Sequence, residues 1–298
     1  MSKSEDLLSF SPIIVGTMRL GSWGVEMSTS ELETYIDQCV DLYLIDFDHA
    51  DIYGHYTEEG RFGAVLKRRS DLRQKVSLTT KCGIKILSPN RPDHTLKSYD
   101  ATKEHILWSA ENSLKELGVE RIKLFMIHRP DALLDPEVVA EAFTQLKEGG
   151  KVAHFGVSNF STSQFELVNQ YFPLVTNQIE FSITHTQPLY DGTLDQMMRS
   201  RLTPTVWSPF GGGELFSEST DPIVKKIQEV AKQLGEKYNA SMDQVLLAWV
   251  MKHPSRITPI VGSSKIARLE SAKKATQLVL SHEDWYRLLE ASVGKEVP

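Results

Sequence analysis

Nine consecutive residues, Asp46-Phe47-Asp48-His49-Ala50-Asp51-Ile52-Tyr53-Gly54, gather three carboxylates, an imidazole and a phenol directly behind the apolar run Leu42-Tyr43-Leu44-Ile45. Ionisable groups crowded where a buried strand ends are expensive to fold around, and loops at such ends are where chemistry is carried. Two later runs end in the same way. Lys81 closes the run 76–81 and precedes Cys82-Gly83, and His128 closes Lys123-Leu124-Phe125-Met126-Ile127. A lysine in that setting is buried, and a buried ammonium needs a carboxylate, which Asp48 on the neighbouring strand is placed to supply. The chemistry open to such a set is proton transfer, or metal binding through His49, Asp51, His55 and His128. Side-chain alternation weighs against the metal, because His49 and Asp51 cannot both point inward with Asp48. Taken one at a time, each residue has a structural role available. Asp48 can cap a turn, Tyr53 can sit half-buried, His128 can be a satisfied core histidine, and Glu59 can serve a helix dipole. Their shared position at neighbouring strand ends is what favours chemistry.

The elements that must position these groups alternate along the chain. Short apolar runs at 13–18, 44–48, 76–81, 123–128, 154–158, 175–181, 205–208 and 258–261 read as strands. Segments with helical spacing fall between them, at 32–43, 58–69, 102–117, 136–149, 162–171, 189–199, 222–238, 242–253, 266–276 and 282–293. Consecutive apolar residues within a strand indicate parallel strands covered on both faces. Eight such strand–helix alternations without a composition break predict an α/β fold, a (β/α)₈ TIM barrel, as a single domain over residues 1–298. An open doubly wound sheet would want a Gly-rich turn after its first strand, and Gly16-Thr17-Met18-Arg19-Leu20-Gly21 does not match that fingerprint. The polar segment 85–99, with two prolines, reads as a long loop. In such a barrel the site lies at the C-terminal ends of the strands. Every predicted end but the first carries polar or aromatic groups.

The composition narrows the function classes. The chain has 298 residues, 41% of them hydrophobic, and a net charge of -6 with both signs interspersed. No basic block points to nucleic acid, and no run of about 18 apolar residues points to a membrane. Two cysteines, Cys39 and Cys82, are too few for a disulfide framework. The stretch from Met1 to Asp6 has no signal-peptide pattern. A cytoplasmic protein is the expectation, and its oligomeric state is not legible.

The motifs, in order, resemble those of the aldo-keto reductases, which are NADPH-dependent carbonyl reductases on a (β/α)₈ fold. The matching pieces are Asp48-x-Ala50-x-x-Tyr53-Gly54, Lys81-Cys82-Gly83, Ile127-His128-Arg129-Pro130-Asp131 and Gly156-Val157-Ser158-Asn159-Phe160. The pattern is similar to the bacterial, shorter-loop branch related to the potassium-channel β-subunit type. The resemblance implies a tetrad. Tyr53 is the general acid in reduction, Lys81 lowers its pKa, Asp48 anchors Lys81, and His128 donates a hydrogen bond to the substrate carbonyl. It implies NADPH/NADP+ as cofactor, with Ser158, Asn159 and Gln178 on the carboxamide. Trp207 takes the stacking position where relatives usually have tyrosine. The run Ser208-Pro209-Phe210-Gly211-Gly212-Gly213 wraps the pyrophosphate, and Ser263, Lys265 and Arg268 read the 2′-phosphate. Two positions depart from the pattern: Gly262 replaces a lysine, and Ser271-Ala272 stand where many members hold adenine with Glu-Asn. Trp23, His55 and Tyr56 are the candidates for the substrate side. They suit an apolar, aromatic small-molecule carbonyl compound. The rival classes are a nicotinamide-binding regulatory subunit with little turnover and a metal-dependent barrel hydrolase.

Overall fold

The computed structural model describes residues 8–297. The stretch from Met1 to Asp6 read for a signal peptide lies outside the described residues. The chain opens with strand β1 (Ile14–Gly16), helix α1 (Thr29–Asp41) and strand β2 (Asp46–Asp48). A short turn α2 (Tyr53–Tyr56) follows, then α3 (Glu58–Arg68), α4 (Ser70–Lys75) and β3 (Ser77–Cys82). Next come the two-residue strands β4 (Ile84–Lys85) and β5 (Ser98–Tyr99), then α5 (Lys103–Leu117), β6 (Ile122–Ile127) and α6 (Pro136–Glu148). Strand β7 (Val152–Ser158), α7 (Thr162–Tyr171), β8 (Asn177–Glu180), α8 (Thr193–Ser200) and β9 (Thr205–Trp207) continue the alternation. The chain finishes through α9 (Pro222–Tyr238), α10 (Met242–Met251), β10 (Thr258–Val261), α11 (Ile266–Ala275) and α12 (His282–Val293). Eight parallel strands form a closed barrel in the order β1-β10-β9-β8-β7-β6-β3-β2, the (β/α)₈ architecture expected from the sequence.

One predicted stretch needs correction, and one helix has no counterpart in the sequence pattern. The segment 85–99 is not loop throughout, because β4 and β5 pair antiparallel, Ile84 opposite Tyr99 and Lys85 opposite Ser98. That helix is α4, where only Leu72 of its six residues is buried and no apolar period can show over so short a span. The helices foreseen have explicit start signals. Ser28 and Glu31 form a reciprocal capping box, as do Ser161 with Gln164 and Ser241 with Gln244. Asp135 before Pro136 and Asp221 before Pro222 place a capping carboxylate ahead of a proline that needs no donor.

The residues group into two compact units. The first runs to Asn177 and takes in Gly262–Ser264. The second comprises Gln178–Val261 and the chain from Lys265 onward. In the first unit, Phe47 on β2 packs on Phe62 of α3 at 5.0 Å between ring centroids. Helix α3 lies so close to α5 that a Cβ on Gly63 would stand 1.9 Å from the Glu116 carbonyl oxygen. In the second unit, Trp249 and Trp285 stack at 5.0 Å and 7° between planes. Each indole N–H donates to the other residue's carbonyl, at 3.0 Å in both directions, so the buried donors are satisfied as the rings pack.

Candidate active site

The first unit builds its polar cluster by strand alternation and register. Phe47 and His49 face α3, with the His49 ring edge-on to Phe62 at 4.6 Å. Asp48, between them, therefore points to the opposite side. β2 pairs with β3 so that Asp48 lies opposite Thr79, and the chain keeps following β3 past its end. The His49 amide donates to the Thr79 carbonyl (2.8 Å) and the Asp51 amide to the Lys81 carbonyl (3.0 Å). That overrun carries the Asp48 carboxylate level with the Lys81 ammonium. On the other side, Lys81 lies opposite Met126, and the His128 amide donates to the Cys82 carbonyl at 2.8 Å.

The tetrad residues are thus brought together. Lys81 Nζ, fully buried, donates to Asp48 Oδ2 at 2.7 Å, to the His49 carbonyl at 2.7 Å and to the Tyr53 hydroxyl at 3.3 Å. The Tyr53 ring meets His128 edge-on at 6.1 Å. Burial works against the Lys81 charge, but the Asp48 carboxylate and the Tyr53 hydroxyl outweigh it and hold the ammonium above its ordinary value. Burial, then the Lys81 and Arg129 charges, push His128 well below the usual imidazole range, so it is neutral near pH 7. A neutral imidazole has one N–H to donate and cannot protonate in competition with Tyr53. Lys81 does pull the Tyr53 pKa down, but burial raises it by more, so the net shift is upward. The phenol is therefore protonated at rest, the form a proton donor needs.

Asp46 and His49 of the opening motif have structural partners. Asp46 accepts from the Ser11 amide (2.5 Å) and hydroxyl (2.8 Å) and pairs with Lys123 at 2.5 Å. Thr17 donates its hydroxyl to the Asp48 carbonyl (2.9 Å), so His49 Nδ1, 3.0 Å away, is the donor to Thr17. Burial pushes His49 down to about 3 and raises Asp51 well above the carboxylate range, where Glu59 repels it as well. Among the described residues, no group of three His, Cys, Asp or Glu side chains is placed to hold a metal ion.

The substrate candidates divide. Trp23 is half-buried, edge-on to Tyr53 (6.1 Å) and to His55 (5.3 Å). Tyr56 turns instead into the segment 84–99, where its hydroxyl accepts from the Ile86 amide at 3.0 Å and its ring lies 4.8 Å from the Arg91 guanidinium.

The cofactor candidates stand at strand ends of both units. In the first, Ser158 closes β7 with its side chain buried, and Asn159, left-handed at φ 60°, donates its amide to the Ser158 hydroxyl at 2.7 Å. Ser263, buried after β10, accepts from the Tyr35 hydroxyl through its carbonyl at 2.5 Å. In the second unit, β8 pairs with β9 so that Gln178 is buried opposite Thr205 and Trp207 stands opposite Glu180. Beyond it, Ser208 is left-handed (φ 50°), Pro209 is buried, and Phe210 packs edge-on to Phe216 at 5.5 Å. Gly211, Gly212 and Gly213 then follow at φ 58°, 69° and 99°, and a Cβ at Gly212 or Gly213 would meet open space. Bare left-handed backbone of this kind fits a pyrophosphate. Lys265 is the N-cap of α11, and Arg268 is exposed in that helix's first turn. A helix N-terminus with a guanidinium fits a further phosphate. Ser271 is engaged elsewhere, donating to Asp243 (2.6 Å) and accepting from Gln244 (3.1 Å).

Two positioning residues escaped the sequence. Asn177 accepts from the Phe160 amide (3.3 Å) and donates to the Phe160 carbonyl (2.8 Å), pinning the turn that carries Ser158 and Asn159. Ser113 joins Thr80 in donating to the Glu59 carboxylate, at 2.9 and 2.6 Å. Each contact joins residues at least 17 apart, and no local pattern announces it.

Comparison with known proteins places these features in context. Residues 12–292 match the model of the Aldo/keto reductase family. The chain is 44% identical over 297 residues to a Bacillus subtilis (strain 168) protein called uncharacterized oxidoreductase YcsN, covering 99% of this chain and 98% of that one. It is 36% identical over 295 residues to 6-dehydroglucose reductase of Agrobacterium fabrum, covering 98% of both. A crystal structure of a thermostable aldo-keto reductase, Tm1743, with the inhibitor epalrestat has the same fold, with a TM-score of 0.79 over 95% of each chain at 22% identity.

Proposed function

The chain belongs to the aldo/keto reductase family of NAD(P)H-dependent oxidoreductases, and from that premise we propose that it reduces aldehyde or ketone carbonyls to alcohols with NADPH, acting as one (β/α)₈ domain. The observation that carries this reading is the Lys81 ammonium shared between Asp48 Oδ2 (2.7 Å) and the Tyr53 hydroxyl (3.3 Å). The bound cofactor supplies hydride. What the chain must supply is a proton and a fixed carbonyl. Tyr53, protonated at rest, gives its proton to the carbonyl oxygen. Lys81 then faces the phenolate and stabilises it, at a distance where a buried charge acts strongly. Asp48 keeps Lys81 charged and aimed. Neutral His128 donates to the same oxygen as negative charge develops on it.

On the cofactor side, Ser158, Asn159 and Gln178 are assigned to the carboxamide, Trp207 to stacking, the Ser208–Gly213 turn to the pyrophosphate, and Ser263, Lys265 and Arg268 to the 2′-phosphate. Arg268 and the α11 N-terminus are the reason to favour NADPH over NADH. The Trp23 ring beside Tyr53 and the neutral His128 suit a neutral carbonyl compound. The relative named 6-dehydroglucose reductase adds a sugar aldehyde to the substrates worth trying. Two free, buried cysteines fit a reducing compartment, the cytoplasm. The experiment is NADPH oxidation followed at 340 nm against aromatic, aliphatic and sugar carbonyls, with parallel titrations of NADPH and NADH. Turnover with at least one carbonyl and tighter binding of NADPH are expected. No turnover across the panel contradicts the reading.

A further inference from the structure

Immediately after Tyr53 the backbone is left-handed at three successive residues, with φ of 59° at Gly54, 57° at His55 and 70° at Tyr56. Only the first is a glycine, and L side chains disfavour this conformation. Such a turn persists where its surroundings over-determine it. The Thr57 hydroxyl holds the Gly54 carbonyl at 2.7 Å, and the His55 and Tyr56 contacts below come from one segment, 84–99. Asn90 Nδ2 donates to the His55 carbonyl at 2.8 Å, and the Ser88 hydroxyl donates to the same oxygen at 3.3 Å. The Ile86 amide donates to the Tyr56 hydroxyl at 3.0 Å, and Arg91 lies over the Tyr56 ring. The segment is itself fixed, by the β4–β5 pairing at its base and by the Ser88 hydroxyl accepting from the Asn90 amide at 3.2 Å. The His55 ring carried on that backbone stands at 85° to Trp23, itself edge-on to Tyr53.

We propose that Asn90, assisted by Ser88, is a positioning residue for substrate selection: its side-chain amide clamps the left-handed turn behind Tyr53 and so fixes the His55–Trp23 wall beside the phenol. This rests on the reductase reading above. Without the clamp the turn relaxes, His55 leaves Trp23, and carbonyl compounds large enough to reach that wall lose a contact that short ones never make. The test compares wild type with Asn90→Asp and with the Ser88→Ala/Asn90→Ala double variant. Asn90→Asp keeps the shape of the side chain but cannot donate, and it sets a carboxylate against the His55 carbonyl. One readout is the ratio of kcat/KM for a bulky aromatic aldehyde to that for a short aliphatic aldehyde. The other is amide hydrogen exchange at residues 55–57, which needs no turnover. Loss of one net hydrogen bond predicts a fall of about 3- to 10-fold in the ratio and a rise of similar size in exchange, with NADPH affinity unchanged. Wild-type exchange in both variants overturns the clamp. Faster exchange with an unchanged ratio overturns its role in selection. A wild-type protein inactive on every carbonyl overturns the reductase reading instead, and the exchange measurement alone then decides the clamp.

Discussion

Asp48→Asn removes one charge and little else. The amide oxygen can still accept from Lys81 Nζ where Oδ2 did, at 2.7 Å, so the variant isolates the charge from the hydrogen bond. Lys81 is 0% exposed and Asp48 3%, which leaves water no route to replace the lost carboxylate. Breaking a buried pair in this way costs about 3–5 kcal/mol, and the retained acceptor puts the expectation near the lower end. At about 2 °C per kcal/mol for a chain of this size, the melting temperature at pH 7 falls by about 6 °C. The sign of the pH dependence follows from Lys81. In the wild type its folded pKa is raised, because Asp48 and Tyr53 outweigh burial. That contribution is fully present below the unfolded value near 10.4 and is lost as pH rises through the folded one. In the variant, burial is left to dominate and the folded pKa drops below about 10.4. The unfolded state then binds more protons in that interval, and the variant gains stability as pH rises towards 10. Thermal melts by circular dichroism at pH 7 and pH 9.5 measure both effects. A deficit under about 1 °C at pH 7, or one that does not shrink at pH 9.5, would refute the view that Asp48 holds Lys81 charged.

Glu59, 4% exposed, is pushed up to about 7 by burial in spite of the Thr80 and Ser113 hydroxyls it accepts from. Its stabilising contribution is therefore complete below about pH 4.3 and fades as pH rises to about 7. Glu59→Gln should gain about 1–3 kcal/mol on the wild type between pH 5 and pH 8 in urea unfolding; equal differences at the two pH values would count against a buried, protonated Glu59. The His128 imidazole, held neutral, should show no titration in its ¹⁵N shifts between pH 5 and 8, and a midpoint near 6.5 would contradict the burial argument. Gly63→Ala places a methyl 1.9 Å from the Glu116 carbonyl oxygen and should lower stability by about 1–3 kcal/mol, read as a lower melting temperature; an unchanged melt would mean that α3 and α5 separate freely.

The barrel was legible because it depends on local pattern. Parallel strands buried on both faces show as apolar runs, and strand parity alone separates Asp48 from His49. What was illegible depends on tertiary partners. Nothing in His55 or Tyr56 marks them as left-handed, and Asn90, which holds His55, is 35 residues away. The β4–β5 ladder is two residues long on each side, too short to alternate. The net direction of the Tyr53 shift was illegible for the same reason. The lysine beside it is visible in the motif, whereas the burial that outweighs it comes from packing against Trp23, Ala50, Ile52 and Ile84.

Proton donation to the carbonyl turns on one oxygen atom. Tyr53→Phe removes the hydroxyl 3.3 Å from Lys81 Nζ and keeps the ring that meets Trp23 and His128 at 6.1 Å. The most direct test is single-turnover NADPH oxidation by this variant with the best carbonyl of the panel, alongside a fluorescence titration of NADPH. If Tyr53 is the proton donor, the rate falls by about 10²-fold or more with cofactor affinity within about twofold of wild type. Wild-type rates in Tyr53→Phe would contradict it.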